Sequence, residues 1–212
     1  MTRIPAAERR AALVQAALRV VARKGVASAT TRAIVAEAGM SLASFHYAFE
    51  SRDELMAELV TFVLGEQDDA LQLMLMELPD MGSSDDPIRE AVRSGLRSYF
   101  EVVRRDPERE KAMFELTQYA MRNSELEAVA RRQYESYYDL AERAIAQATQ
   151  AIGVEWDRPV REVATLLVAL TDGLTLGWLV NRDDAMAETV IEFAAESIAS
   201  LLAVRHDTEV HA

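Results

Sequence analysis

From Ala6 to Val204, apolar residues recur at intervals of three and four and hardly anywhere at intervals of two. A chain spaced this way buries one stripe on each of a series of helices and offers no half-buried strand. Glycine and proline are few, at eight and five, and the prolines fall between the periodic segments or at their ends. The expected fold is therefore all-α. The spacing predicts helices over Ala6–Lys24, from Thr30 or Thr31 to Ala38, and over Leu42–Phe49. A long fourth helix is predicted from Ser51 to about Glu77, followed by Ile88–Arg105, Glu108–Arg122, Glu125–Ala151, Val160–Val180 and Ala185–Val204. The stretch PDMGSSDDP, ending at Pro87, reads as the clearest loop, and the polar tail after His206 as frayed.

With 212 residues, half of them hydrophobic and 27% charged, the chain can bury a substantial core. Cysteine is absent, which removes disulfides, thiolate catalysis and cysteine metal sites and agrees with a reducing cytoplasm. The start MTRIPAAERRAALVQ lacks the apolar run of a signal peptide. No membrane span is expected, because even VATLLVALTDGLTLGWLV is interrupted by Asp172 and by several Thr and Gly. Histidines stand only at 46, 206 and 211, and no Gly-rich phosphate loop or helical His-Glu pair occurs. Neither a nucleophilic nor a metal constellation can be assembled, so no enzyme, cofactor or metal is expected.

The net charge of −12 conceals an asymmetry. Residues 1–48 hold seven Arg and Lys against two Glu, a local excess of +5, which leaves −17 for the remainder. Attraction to phosphate acts locally, within about 8–10 Å at physiological salt, so a basic head on an acidic body can still meet nucleic acid.

Within that head, TTRAIVAEAGMSLASFHYAFESRDELM places two short helices on either side of Gly39-Met40-Ser41. Such a helix-turn-helix puts its second helix into the major groove. Ile34, Val35, Ala38, Leu42, Phe45 and Phe49 supply an apolar inner face, while Ser41, Ala43, Ser44, His46 and Tyr47 supply the outer one. Ser51-Arg52-Asp53-Glu54 is a capping box: Ser51 caps the next helix and Glu54 reaches back to it.

These residues resemble the N-terminal domain of the TetR family of transcriptional regulators. The pattern lies on Thr30/Thr31, Ile34, Val35, Ala38, Gly39, Met40, Ser41, Phe45, His46, Tyr47, Phe49, Ser51, Arg52 and Leu55 and covers about the first sixty residues. The resemblance implies a helix-turn-helix DNA-binding domain over residues 1–50. It implies a helical ligand-binding and dimerisation domain over 51–205, with 206–212 left as tail. It also implies that Thr31, Tyr47 and Arg52 hold phosphates, with Arg32 beside them. Ser41 would open the recognition helix, Ala43, Ser44 and His46 would face bases, and Arg3 would enter the minor groove. Tyr47 packing on the first helix, and His46 as a plain surface ring, stay open. Leu42, Ala43, His46 and Ala48 depart from the family's commoner residues, and Arg52 stands where Lys is usual.

In the acidic body, Val163, Leu167, Leu170 and Leu174 recur at helical spacing, as do Ile191, Ala194, Ile198 and Leu201. Both stripes fit a four-helix bundle across a twofold axis, the alternative being the chain's own core. Met113, Phe114, Tyr119, Tyr137, Tyr138 and Trp178 are large adaptable side chains that suit either plain core packing or the lining of a pocket for a small, partly apolar inducer; Asp172 suits either a polar ligand contact or a cap or bridge at the dimer interface. The function the resemblance implies is that of a ligand-responsive repressor, binding palindromic operator DNA as a homodimer and released by a small-molecule inducer, the alternative being a helical ligand-binding or scaffold protein without a DNA-binding role.

Overall fold

The structure, a computed structural model, describes residues 5–63 and 86–203. The described residues form nine α-helices. In chain order these are α1 (Ala6–Lys24), α2 (Thr31–Glu37), α3 (Leu42–His46), α4 (52–63), α5 (Pro87–Arg105), α6 (Pro107–Met121), α7 (Glu127–Ile152), α8 (Val160–Asn181) and α9 (Asp184–Ala199). A single 3-10 turn, Val26–Ser28, separates α1 from α2. Most of the PDMGSSDDP stretch, the predicted run of α4 towards Glu77, Arg3 and the tail from His206 lie outside the described residues. The last helix is shorter than its pattern suggests. It ends at Ala199, after which the backbone pairs instead with residues 155–157, Trp156 facing Leu202 in an antiparallel bridge.

The described residues gather into two compact units that do not follow chain order. One holds residues up to 63 together with 105–134; the other holds 86–104 with 135–203.

In the first unit α1 packs on α2 and α6. Leu13, Ala17, Val20 and Val21 meet Ile34, Phe45, Phe49, Leu55 and Leu59, and Met113, Leu116 and Ala120 of α6 complete the same cluster. Gly25 ends α1 with φ 79° and ψ 164°, a region open only to glycine. Beside it the Val26 N–H donates to Glu115 Oε2 of α6 at 2.6 Å.

In the second unit α8 and α9 pack together, joined at Arg182, which takes a left-handed conformation (φ 55°). Asp183 then caps α9 by accepting the N–H groups of Ala185 and Met186, each at 3.0 Å. Helix α5 lies along α9 through a ladder of ion pairs. Arg89 meets Glu196 at 2.6 Å, Arg93 meets Glu192 at 2.8 Å, and Arg97 meets Glu188 and Glu192. Spacing of four along both helices aligns the rungs.

Helix α8 corrects one expectation. At 22 residues, with a mean hydropathy of 1.8 over its richest window, it does reach the length and apolarity of a membrane span. The interruptions at Asp172 and the Thr and Gly residues are too few to lower that mean. Only 39% of the window is buried within the protomer.

Candidate nucleic-acid interface

The helix-turn-helix is built by its caps. Thr30 Oγ1 accepts the Ala33 N–H at 3.2 Å and starts α2, whose Ile34 and Val35 turn inward. Gly39, at φ 65°, reverses the chain, and the Met40 N–H returns to the Val35 carbonyl at 2.8 Å. Ser41 Oγ then accepts the Ser44 N–H at 3.2 Å and starts α3, which is only five residues long. Phe45 and Phe49 are buried, their ring centroids 5.7 Å apart. Leu42, expected in the core, is instead 44% exposed. It stands first in α3, and Ala48, further along, is buried.

The outer face is left bare. Ser41, Ala43 and His46 are exposed, Ser44 is half-buried with its hydroxyl 3.0 Å from that of Ser41, and His46 stands edge-on to Phe45. Tyr47 is 80% exposed, with the Arg9 guanidinium 5.9 Å from its ring centre, so it is not a core residue. On α2, Thr31 is half-buried and Arg32 exposed.

Arg52 occupies another position than the resemblance implies. Its Nε donates to the Ala29 carbonyl at 2.7 Å and its Nη2 to the Val26 carbonyl at 2.9 Å, which ties α4 to the connection between α1 and α2. A lysine offers one nitrogen where two of the planar fork meet these carbonyls, and this gives the Arg-for-Lys exchange a physical reason. Its Nη1 lies 3.7 Å from Asp53 Oδ1.

Several of the head's basic residues are paired within the fold. Arg19 and Arg23 both pair with Glu37, at 2.8 and 2.6 Å, and hold its carboxyl below the usual glutamate range. Arg10 pairs with Glu54 and Glu58 of α4, acids that lie beyond the basic segment in sequence. Lys24 and Arg32 are exposed and have no ion pair among the described residues.

The expected ligand residues divide between the two units. In the first, Met113 is buried against the head, Phe114 is half-buried, and Tyr119 donates to Asp53 Oδ1 at 3.2 Å, its phenol pKa raised first by burial and then by that carboxylate. In the second, Tyr137, Tyr138 and Asp172 are half-buried. The Arg161 guanidinium lies 5.2 Å over the Tyr138 ring. Trp178 is buried, with its Nε1 donating to Asp184 at 2.7 Å and its ring edge-on to Phe100 at 5.5 Å. Sequence reading passed over Glu110, which is only 9% exposed on the inward face of α6 and whose carboxyl pKa burial raises. Its position in register with Met113 was the available signal.

The two body stripes fall inside the protomer. Val163, Leu174, Ile191, Ala194 and Ile198 are buried, and Leu167, Leu170 and Leu201 are half-buried against the same cluster. The apolar residues left in the open occupy the adjacent faces: Leu166, Leu176 and Val180 on α8, with Met186 and Phe193 on α9. Ala169, Gly173 and Gly177 lie exposed between them.

Caps, a glycine turn and a bare second helix define a helix-turn-helix protein, and comparison with known proteins gives the family. Residues 13–59 match the bacterial regulatory proteins of the tetR family. Residues 87–203, more than half the chain, match the C-terminal domain of BetI-type transcriptional repressors. The chain belongs to the TetR family of transcriptional regulators, which are DNA-binding proteins and not enzymes. It is 28% identical over 184 residues to the HTH-type nicotine-responsive transcriptional repressor HdnoR of Paenarthrobacter nicotinovorans, covering 86% of this chain and 89% of that one. Among solved structures it resembles the multidrug binding protein EbrR, complexed with imidazole, at 25% identity and TM-score 0.66, over 94% of this chain and 97% of that one. A transcriptional regulator of Saccharomonospora viridis, in complex with choline, shares the fold at 21% identity and TM-score 0.73, over 94% and 100% of the two chains.

Proposed function

We propose that this regulator is a homodimeric repressor that occupies a palindromic operator and leaves it when a small, partly apolar organic molecule binds the body. Residues 1–50 supply the DNA contacts; residues 51–205 supply dimerisation and ligand binding. The observation that carries this reading is the bare outer face of α3 with Tyr47, on a helix-turn-helix that buries Ile34, Val35, Phe45 and Phe49. Ser44 and His46 then face bases, while Thr31 and Tyr47 meet phosphates.

The uncovered stripe of Leu166, Leu176, Val180, Met186 and Phe193 supports the dimer. Such a face needs cover, and a second copy of α8 and α9 supplies it as a four-helix bundle. Lipid suits it poorly, because Asp172 sits midway along α8. Two heads held about 34 Å apart read successive major grooves. The ligand names carried by HdnoR and EbrR support a small organic inducer. Its effect rests on differential affinity for two body conformations, one of which turns α4 and takes the heads out of register, with a coupling of about 1–3 kcal/mol. The site of action is the cytoplasm, where the DNA lies.

Selection from a random duplex library, followed by affinity measurement against salt, tests this. The expected result is an enriched palindrome whose binding weakens steeply as salt rises. Failure to enrich any sequence at low salt would refute it.

A further inference from the structure

Arg10 counts among the basic residues of the head, yet its side chain turns inward. The guanidinium lies 4.1 Å over the Phe49 ring. Its Nε is 3.0 Å from Glu58 Oε2, and Nη1 and Nη2 are each 3.0 Å from Glu54 Oε1. Nη1 also donates to the Ala48 carbonyl and Nη2 to Glu58. An arginine has five N–H donors, and here each has an acceptor within the fold. A phosphate is left none.

The acceptors are placed where they matter. Ala48 and Phe49 are the residues by which the chain leaves α3. Glu54 and Glu58 stand one turn apart on α4, and Glu54 in addition accepts the Glu50 N–H at 2.6 Å. One planar group on α1 therefore holds the exit of α3 and the first two turns of α4 together. Leu13, Ile34, Phe45 and Leu55 form a buried apolar cluster to which the Arg10 bonds add a polar tie between the exit of α3 and α4.

We infer that Arg10 is a positioning residue for operator recognition: it touches no DNA and fixes the angle at which α3 is presented. This rests on the reading that α3 faces DNA. A lysine at this position keeps the charge but reaches the acceptors as a single point, without the fork.

The test uses the full chain with two probes, the palindromic duplex recovered by selection and a scrambled duplex of equal length. Arg10→Lys is expected to bind the selected duplex about tenfold more weakly, because charge-assisted bonds that hold geometry are lost. It should bind the scrambled duplex as the wild type does, with the same slope of log affinity against log salt. The pair Glu54→Gln with Glu58→Gln makes the head more positive, yet is also expected to weaken binding to the selected duplex. The opposite pattern overturns the inference: Arg10→Lys unchanged on the selected duplex, and the Gln pair binding both duplexes more tightly with a steeper salt slope, as a freed phosphate contact requires. A specific loss that vanishes once affinity is corrected for the folded fraction, measured by thermal unfolding, overturns it as well. A wild-type chain that enriches no duplex defeats the underlying reading instead, an outcome distinct from a binding wild type with an unaffected Arg10→Lys.

Discussion

Gly25→Ala addresses the junction between α1 and α6. At φ 79° and ψ 164° an alanine enters a region essentially reserved for glycine, at a cost of about 1–3 kcal/mol. The new Cβ would stand 3.0 and 3.1 Å from the Glu115 carboxylate oxygens, tighter than ordinary contact, so this flexible side chain must give by a few tenths of an ångström. That shift loosens its exposed bond from the Val26 N–H, at a further cost of up to about 1 kcal/mol. The total, about 1–4 kcal/mol, is a sizeable share of the roughly 5–15 kcal/mol typical of a folded chain. Urea unfolding should show a lower midpoint with an unchanged slope. In a Glu115→Ala background the same substitution should cost about 1 kcal/mol less, since neither the clash nor the bond remains. A Gly25→Ala protein within about 0.5 kcal/mol of wild type, or a cycle with no coupling, would refute the reasoning.

Three further outcomes are expected. Tyr47→Ala, at an exposed position, should leave stability within about 0.5 kcal/mol while weakening operator binding about tenfold by titration. Leu176→Glu combined with Val180→Glu should convert the dimer to monomer in sedimentation and lower operator affinity with it; a dimer that persists would place the interface elsewhere. Glu110 has a folded pKa raised by burial, so the folded state holds its proton more tightly. Its stabilising contribution is complete below the ordinary value of 4.5 and is lost as pH rises through the folded pKa. Glu110→Gln should therefore raise the unfolding temperature at neutral pH and leave it nearly unchanged below pH 4.5; an equal effect at both would contradict this.

The helix-turn-helix was legible because its signals are local. Thr30, Gly39, Ser41 and Ser51 each act within four residues, and each takes the place that its chemistry implies. The capping box differs in one detail: Glu54 reaches the Glu50 N–H rather than that of Ser51, drawn between it and Arg10. What could not be read depends on pairings distant in sequence. Nothing local says that Arg52 serves the carbonyls of Val26 and Ala29, or that Arg10 meets two acids more than forty residues away. The dimer face was ambiguous for another reason. Helix α8 is apolar nearly all round, so the stripe through Val163 and Leu174 and the one through Leu166, Leu176 and Val180 satisfy the same spacing. Periodicity identifies a face only when the remaining faces are polar.

The first unit draws one wall of its core, Met113, Leu116 and Ala120, from α6, far along the chain from α1 to α4. On the ribosome, α1 to α4 are made first, with that wall still unsynthesised. The DNA-reading part of this regulator therefore completes its core only after α6 has emerged, and Leu13, Val21 and Leu59 stay incompletely covered until then. A polypeptide terminated after α4 would be born in that unfinished state. A fragment that is to close this core must retain α6 and cannot stop at the end of the helix-turn-helix.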